Sequence, residues 1–306
     1  MSPKIRSVSI GAMATQWGVV HAATAVGRQW AAAGGTDQRR SADVGILTVL
    51  REEIRAVVEV LQSYDDYRSA PLPGGPQIHR AEVPAEGGRL RVVAMQTLEP
   101  GPHSAAAAYH LMRNAFRPPV VLLVGIAGGI RPDLAVGDVV VSDEVICYDA
   151  RRETTTDPRR RGKSHAMTPA MRYRVNEFFR RNGPVVSLHP VGSFEVFHGP
   201  VGSGGAVITN EDSDIREFLR RFNEKTLAVE TEASGVGQAF YEEIDAERNL
   251  AGWMTIRGIS DLAGRNKNRD QHQLASDHAA VVMDRLLPLL GRSGSRPIDL
   301  QHRLAG

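Results

Sequence analysis

A three-layer αβα sandwich around a central mixed, mostly parallel sheet is the fold class that this 306-residue sequence predicts. Three observations predict it. The runs VGILTVL (44–50), VVLLVGIAGGI (120–130) and WMTIRGIS (253–260) are continuously apolar or nearly so and rich in β-branched residues, as strands buried on both faces must be. Segments with helical spacing alternate with them, as in EEIRAVVEVLQSY (52–64), where apolar residues fall at 54, 57, 58 and 61. The alternation continues to about residue 290, which is the order of a sheet covered by helices on both sides.

The elements follow in order. APLPGGP (70–76) reads as a loop, LRVVAMQ (90–96) as a strand, and SAAAAYHLMRNAF (104–116) as a helix stopped by Pro118 and Pro119. The GIAGG that ends the 120–130 strand reads as a glycine-rich turn, followed by the strand DVVVSDEVICY (138–148). A helix is expected over 167–181, a glycine-broken strand over VGSGGAVIT (201–209), and a helix over 214–222. The strand TLAVE (226–230), a helix over 233–244 and a helix over 274–290 complete the pattern. The expected organisation is a tail (1–41), one domain (42–292) and a short C-terminal tail (293–306). Residues 4–28 have the rough order of a signal peptide, but Gln16, Trp17 and His21 interrupt the apolar run, so a poorly ordered tail or loosely docked helix is expected.

Composition bounds the function. The chain is 42% hydrophobic and its net charge is +2, which gives no whole-chain argument for nucleic acid or a membrane. No run of 18 apolar residues is present. The single cysteine, Cys147, excludes an intrachain disulfide and a thiolate metal cluster, and fits a cytoplasmic setting. No HExxH or GxSxG is found among the ten histidines and the serines, so neither metal ligation nor triad hydrolysis is expected. GIAGG is followed by Ile130-Arg131-Pro132-Asp133 rather than a helix, so it is no dinucleotide fingerprint. The run ARRETTTDPRRRGK (150–163) carries six cations; it is either a solvated loop or a cover that meets an anionic substrate.

In such sheets the ligand lies beyond the carboxyl ends of the strands. Acids gather there: Glu52 and Glu53 after the first strand, Glu230 and Glu232 in AVETEASG, and Asp261 after Ser260. Any one of them is accounted for as a helix-start acid. Together they suit cleavage of a sugar C1 bond, where one carboxylate activates water, another protonates the leaving group and a third holds a ribose diol.

At these residues the sequence resembles the nucleoside phosphorylase/nucleosidase superfamily, and within it the methylthioadenosine/S-adenosylhomocysteine nucleosidases. VGILTVLREEIRAV, VGIAGGIRPDLAVGDVVVSDEV, AVETEASGVG and IRGISDLAG carry the resemblance in that order. It implies that Glu53 deprotonates the attacking water, that Asp261 beside Ser260 protonates purine N7, and that Glu232 holds the ribose hydroxyls. It further implies that Ala127 and Gly128 back the ribose and base, and that the Val207–Ile208 backbone reads the adenine edge. Arg51-Glu52-Glu53 stands where the phosphorylases carry a phosphate loop, and Ile126 where a hydroxyl is frequent, so hydrolysis is favoured over phosphorolysis. An aspartate at 261 resembles the adenine-cleaving branch. The resemblance implies a cytoplasmic homo-oligomer with no cofactor, acting on an adenine nucleoside or nucleotide; a phosphorylase or a non-catalytic nucleotide sensor on the same fold is the alternative. Two departures bear on the substrate. Thr231 stands where these nucleosidases place methionine, and HGPVGSGGAVIT with RGISDL is more like the nucleosidase-type domains of bacterial defence and signalling proteins. With the arginine-rich loop, these departures point to an anionic 5′ group.

Overall fold

The computed structural model describes residues 41–154, 159–188, 192–244, 250–264 and 270–291. The expected tails, apart from Ser41, lie outside the described residues. The elements run β1 (Val44–Thr48), α1 (Arg51–Gln62), β2 (Arg68–Pro71), β3 (Gln77–Ala85), β4 (Gly88–Gln96), α2 (Pro102–Phe116), β5 (Val120–Gly129) and β6 (Val139–Cys147). There follow β7 (Arg151–Arg152), β8 (Arg159–Arg160), β9 (Lys163–Ala166), α3 (Pro169–Asn182), β10 (Val185–Leu188), β11 (Gly192–Ser203) and α4 (Asp214–Phe222). The chain then forms β12 (Ala228–Glu230), α5 (Ala233–Glu243), β13 (Gly252–Asp261) and α6 (Asp270–Leu286), which tightens into a 3-10 turn over Leu287–Leu290.

The main sheet has the order β10-β11-β6-β13-β5-β1-β4-β3-β2. Its centre is parallel: β1 pairs with β4 and β5, and β5 with β13. The β13–β6 pairing and the β2–β3–β4 meander are antiparallel, so the sheet is mixed. Short β12 pairs parallel with β11 and antiparallel with β5, which closes β5, β13, β6, β11 and β12 into a small barrel. Helices α1, α3 and α6 bury one face of the sheet, through residues such as Val57, Phe178 and Met283. Helices α2 and α5 bury the other, through Met112, Val236 and Phe240.

Three local expectations change. Residues 70–76 are not simply a loop, because Arg68–Pro71 pairs with Gln77–Ala85 and only the tip turns. The glycine-broken strand is Gly192–Ser203, and residues 204–209 carry no strand pairing. GIAGG is strand rather than turn, because β12 and β13 both pair with its end: Gly128 stands opposite Val229 on one side and Asp261 on the other. Glycine at 128 fits that crowding, since a Cβ there would lie 3.0 Å from Ala263 Cβ and 3.1 Å from Asp261 Oδ1.

Candidate active site

The site begins where β1 becomes α1. Leu50, the N-cap, is extended and has no side-chain oxygen to offer the first helical turn. Glu53, three residues on, supplies the acceptor instead: its Oε2 accepts the Val49 and Leu50 amides at 2.7 and 2.8 Å. Its Oε1 accepts the Ile126 amide of β5 at 2.9 Å. A helix-start acid is thereby tied to the glycine-rich strand. Burial pushes the Glu53 pKa above its ordinary 4.5, while Arg257 and the three amides pull against that shift.

The two acids of AVETEASG have separate partners. Glu230 ends β12 and caps α5, accepting the Glu232 amide at 3.1 Å and the Ala233 amide at 2.9 Å. Ser203 Oγ completes that cap by accepting the Ser234 amide at 2.8 Å. Glu232 Oε1 accepts the Gly101 amide at 3.0 Å and the Thr231 hydroxyl. Gly101 precedes α2 at φ 108°, a backbone conformation that suits glycine. Small residues follow Glu232 for two different contacts. A Cβ at Gly235 would run into the Pro102 carbonyl of α2, and one at Gly237 would lie 2.7 Å from the Trp253 ring of β13.

Arg257, fully buried in the middle of β13, joins these pieces. Its Nη2 pairs with Glu230 and lies 3.5 Å from Glu232 Oε2. Its Nε and Nη1 are buried and make no hydrogen bond among the described residues. Burial works against its charge, but Glu230, Glu232 and Glu53 outweigh burial and push its pKa up. Burial likewise raises the Glu230 pKa, with Arg257 opposing and Glu232 reinforcing. Glycine at 125 keeps Glu53 and Arg257 close: a Cβ there would meet Glu53 Oε1 and lie 2.6 Å from Arg257 Nη1. Gly125→Ala is expected to destabilise the fold by about 1–3 kcal/mol through overpacking, read from a thermal melt. A melt unchanged from the wild type contradicts this geometry.

Across β5, Asp261 is buried, and its Oδ1 accepts the Ala263 amide at 2.8 Å. Ser260 Oγ lies 3.1 Å from Asp261 Oδ2 and 3.4 Å from the Ala127 carbonyl, so its one proton serves either. A register shift between Ile259 and Asp261 sets Asp261 opposite Gly128. Ile208 is buried in a cluster with Tyr148, Val229 and Ala263, two residues beyond Asp261; Val207 beside it is exposed. In the basic run, Arg160 is held by the Tyr148 carbonyl and Asp214, and Arg151 by Glu153. Arg152, Arg159 and Arg161 are exposed.

The structure thus brings Glu53 and Glu232 to one guanidinium and sets Asp261, Ser260, Ala127 and Gly128 together on the neighbouring strand pair. Thr231 points its hydroxyl at Glu232. Arg257 and Gly101 are the residues the sequence reading passed over. A lone cation in the apolar run WMTIRGIS was the available signal for Arg257, because such a charge needs buried counter-ions. Among the described residues, no group of three or more His, Cys, Asp or Glu side chains is placed to hold a metal, and no helix is long and apolar enough to cross a membrane.

The family model described as the Phosphorylase superfamily matches residues 43–288. The chain belongs to that superfamily. Among similar curated proteins is ATP nucleosidase Cap17 of Escherichia coli strain KTE188, 24% identical over 255 residues that cover 78% of this chain and 49% of Cap17. The chain therefore spans about half the length of that relative. The 5′-methylthioadenosine/S-adenosylhomocysteine nucleosidase of Listeria innocua is 25% identical over 253 residues, covering 80% of this chain and 98% of the relative. Among solved structures, the S-adenosylhomocysteine nucleosidase of Streptococcus pyogenes in complex with 5-methylthiotubericidin aligns with TM-score 0.64 at 17% identity, over 84% of this chain and all of that one. That likeness shows a shared fold within the superfamily.

Proposed function

We propose that this superfamily member is an adenine nucleosidase, hydrolysing the N-ribosidic bond of an adenine nucleoside or nucleotide. One observation carries the reading. Arg257 grips Glu230 and Glu232 with Nη2 and keeps a buried Nη1, without a hydrogen bond among the described residues, beside Glu53 across Gly125. A water that meets Glu53 has a carboxylate to take its proton, and the Arg257 charge behind Gly125 favours the ionised form of that carboxylate. The water oxygen bonds to the ribose C1′ as the C1′–N9 bond breaks, through a cationic transition state that the surrounding carboxylates favour. Asp261 delivers a proton to N7, so the base leaves neutral. Glu232, braced by Thr231 and the Gly101 amide, holds the ribose diol. Ala127 and Gly128 form the floor beneath it, and the backbone at Val207 and Ile208 reads the base edge.

The exposed Arg152, Arg159 and Arg161 support an anionic 5′ group, because guanidinium forks suit phosphate. So does the similarity to an ATP nucleosidase. The same reading takes the enzyme as a cytoplasmic homo-oligomer, supported by the resemblance to the methylthioadenosine/S-adenosylhomocysteine nucleosidases; light scattering on the purified chain checks the assembly. A kinetic comparison of methylthioadenosine, adenosine, AMP and ATP tests the substrate. The phosphorylated substrates are expected to give the higher kcat/KM, and an Arg159→Ala/Arg161→Ala variant to remove that preference. A preference for methylthioadenosine of about a hundredfold, equivalent to roughly 2.7 kcal/mol, contradicts the anionic 5′ group.

A further inference from the structure

Beyond Gly204, whose amide donates to the Glu230 carbonyl of β12 at 3.3 Å, residues 205–209 follow β11 outside any strand, yet the backbone assigned to the base lies inside them. A segment without a ladder must be fixed by other bonds. Tyr148, the residue after β6, supplies them. Its ring is buried, and its hydroxyl lies 2.9 Å from the Ala206 carbonyl, 3.0 Å from the Gly204 carbonyl and 3.4 Å from the Glu230 carbonyl. One phenolic proton serves three acceptors, two of them in this segment. A Cβ at Gly204 would overlap the Tyr148 ring, so glycine there lets ring and backbone approach closely. The next residue adds a second tie: Asp149 Oδ2 accepts the Gly205 amide at 2.9 Å. Farther along, Ile208 packs into the cluster that contains Tyr148 and Ala263.

We propose that Tyr148 is a positioning residue for base recognition. Its hydroxyl fixes the 204–206 backbone so that the peptide edge at 207–208 keeps one position beside the cluster that holds Ala263, two residues beyond Asp261. The proposal rests on the adenine nucleosidase reading. It makes Tyr148 a determinant of which purine is accepted, although it touches neither substrate nor reacting atoms. The Glu230 carbonyl shares the same hydroxyl, so base segment and carboxylate cluster have one anchor in common.

The test is Tyr148→Phe in the full chain, with Asp149→Ala as a second variant that releases the segment at Gly205 instead. Amide hydrogen exchange over 204–208 is measured in the free protein, adenine affinity by calorimetry, and kcat and KM with adenosine and inosine. Tyr148→Phe is expected to speed exchange over 204–208 while leaving that of β13 close to wild type, with a melting-temperature drop of only a few degrees from the lost buried bond. Adenine affinity falls about five- to tenfold, the scale of one lost hydrogen bond. KM rises by a similar factor with kcat within about twofold, and the preference for adenosine over inosine narrows. Asp149→Ala is expected to speed exchange at Gly205. Unchanged exchange in Tyr148→Phe, or a loss confined to kcat, overturns the positioning role. A wild-type protein that neither binds nor releases adenine overturns the nucleosidase reading instead, and the exchange measurement still decides whether Tyr148 holds the segment.

Discussion

Glu53→Gln is expected to lower kcat by about 10²–10⁴-fold, the range attributed to a positioned general base. The amide cannot take a proton from water, and its nitrogen faces the wrong way for the fold. Glu53 Oε2 accepts two amides and Oε1 a third, so a glutamine that keeps Val49 and Leu50 turns an N–H toward the Ile126 N–H. That lost bond costs about 1–3 kcal/mol of stability, so a melting-temperature drop accompanies the loss of turnover. The wild-type pH profile follows from the same residue. Glu53 must be ionised to act, and burial holds its pKa above 4.5, so kcat/KM falls on the acid side at a pH above that of an ordinary glutamate. Full turnover in Glu53→Gln would remove the residue from the mechanism.

Arg257→Met is expected to have the largest effect on stability. It removes the cation that faces Glu53, Glu230 and Glu232, all buried, and takes away the compensation it gives their charges. Breaking a buried pair from one side costs about 3–5 kcal/mol, or on the order of 10 °C in Tm for a domain of this size. The pH dependence separates charge from packing. Without Arg257, the folded-state pKa values of Glu53 and Glu230, already raised, rise further above their unfolded values. Stability is then lost as pH rises through those values, so the deficit is largest near neutrality and shrinks in acid. Melts at neutral and mildly acidic pH read this directly; a deficit independent of pH means that lost packing dominates.

The layer order was legible in the sequence because the buried strands are long and continuously apolar, and Glu53, Glu232 and Asp261 were legible because each lies at the end of a strand or within a few residues beyond it. What stayed hidden depends on pairing between distant segments. GIAGG has turn composition, yet it is strand because β12 and β13 flank it, more than 90 residues later in the chain. Arg257 is a single cation in an apolar run; its partners come from α1, β12 and the start of α5, and only the closed barrel brings them together. Thr231 was legible as a departure from methionine, but the bond from its hydroxyl to Glu232 was not, because it depends on where Gly101 meets that carboxylate. The Tyr148 anchor was equally hidden, since its three acceptors lie 56 to 82 residues away.

In the proposed mechanism Glu53, with Arg257 behind it, directs water rather than phosphate to the ribose C1′. Turnover of the preferred adenine substrate in ¹⁸O-labelled water, with and without inorganic phosphate, tests it most directly. The expected products are free adenine and a sugar carrying one ¹⁸O at C1, formed at a rate unaffected by phosphate. Formation of ribose-1-phosphate or its 5′-substituted form, or a requirement for phosphate, would contradict it.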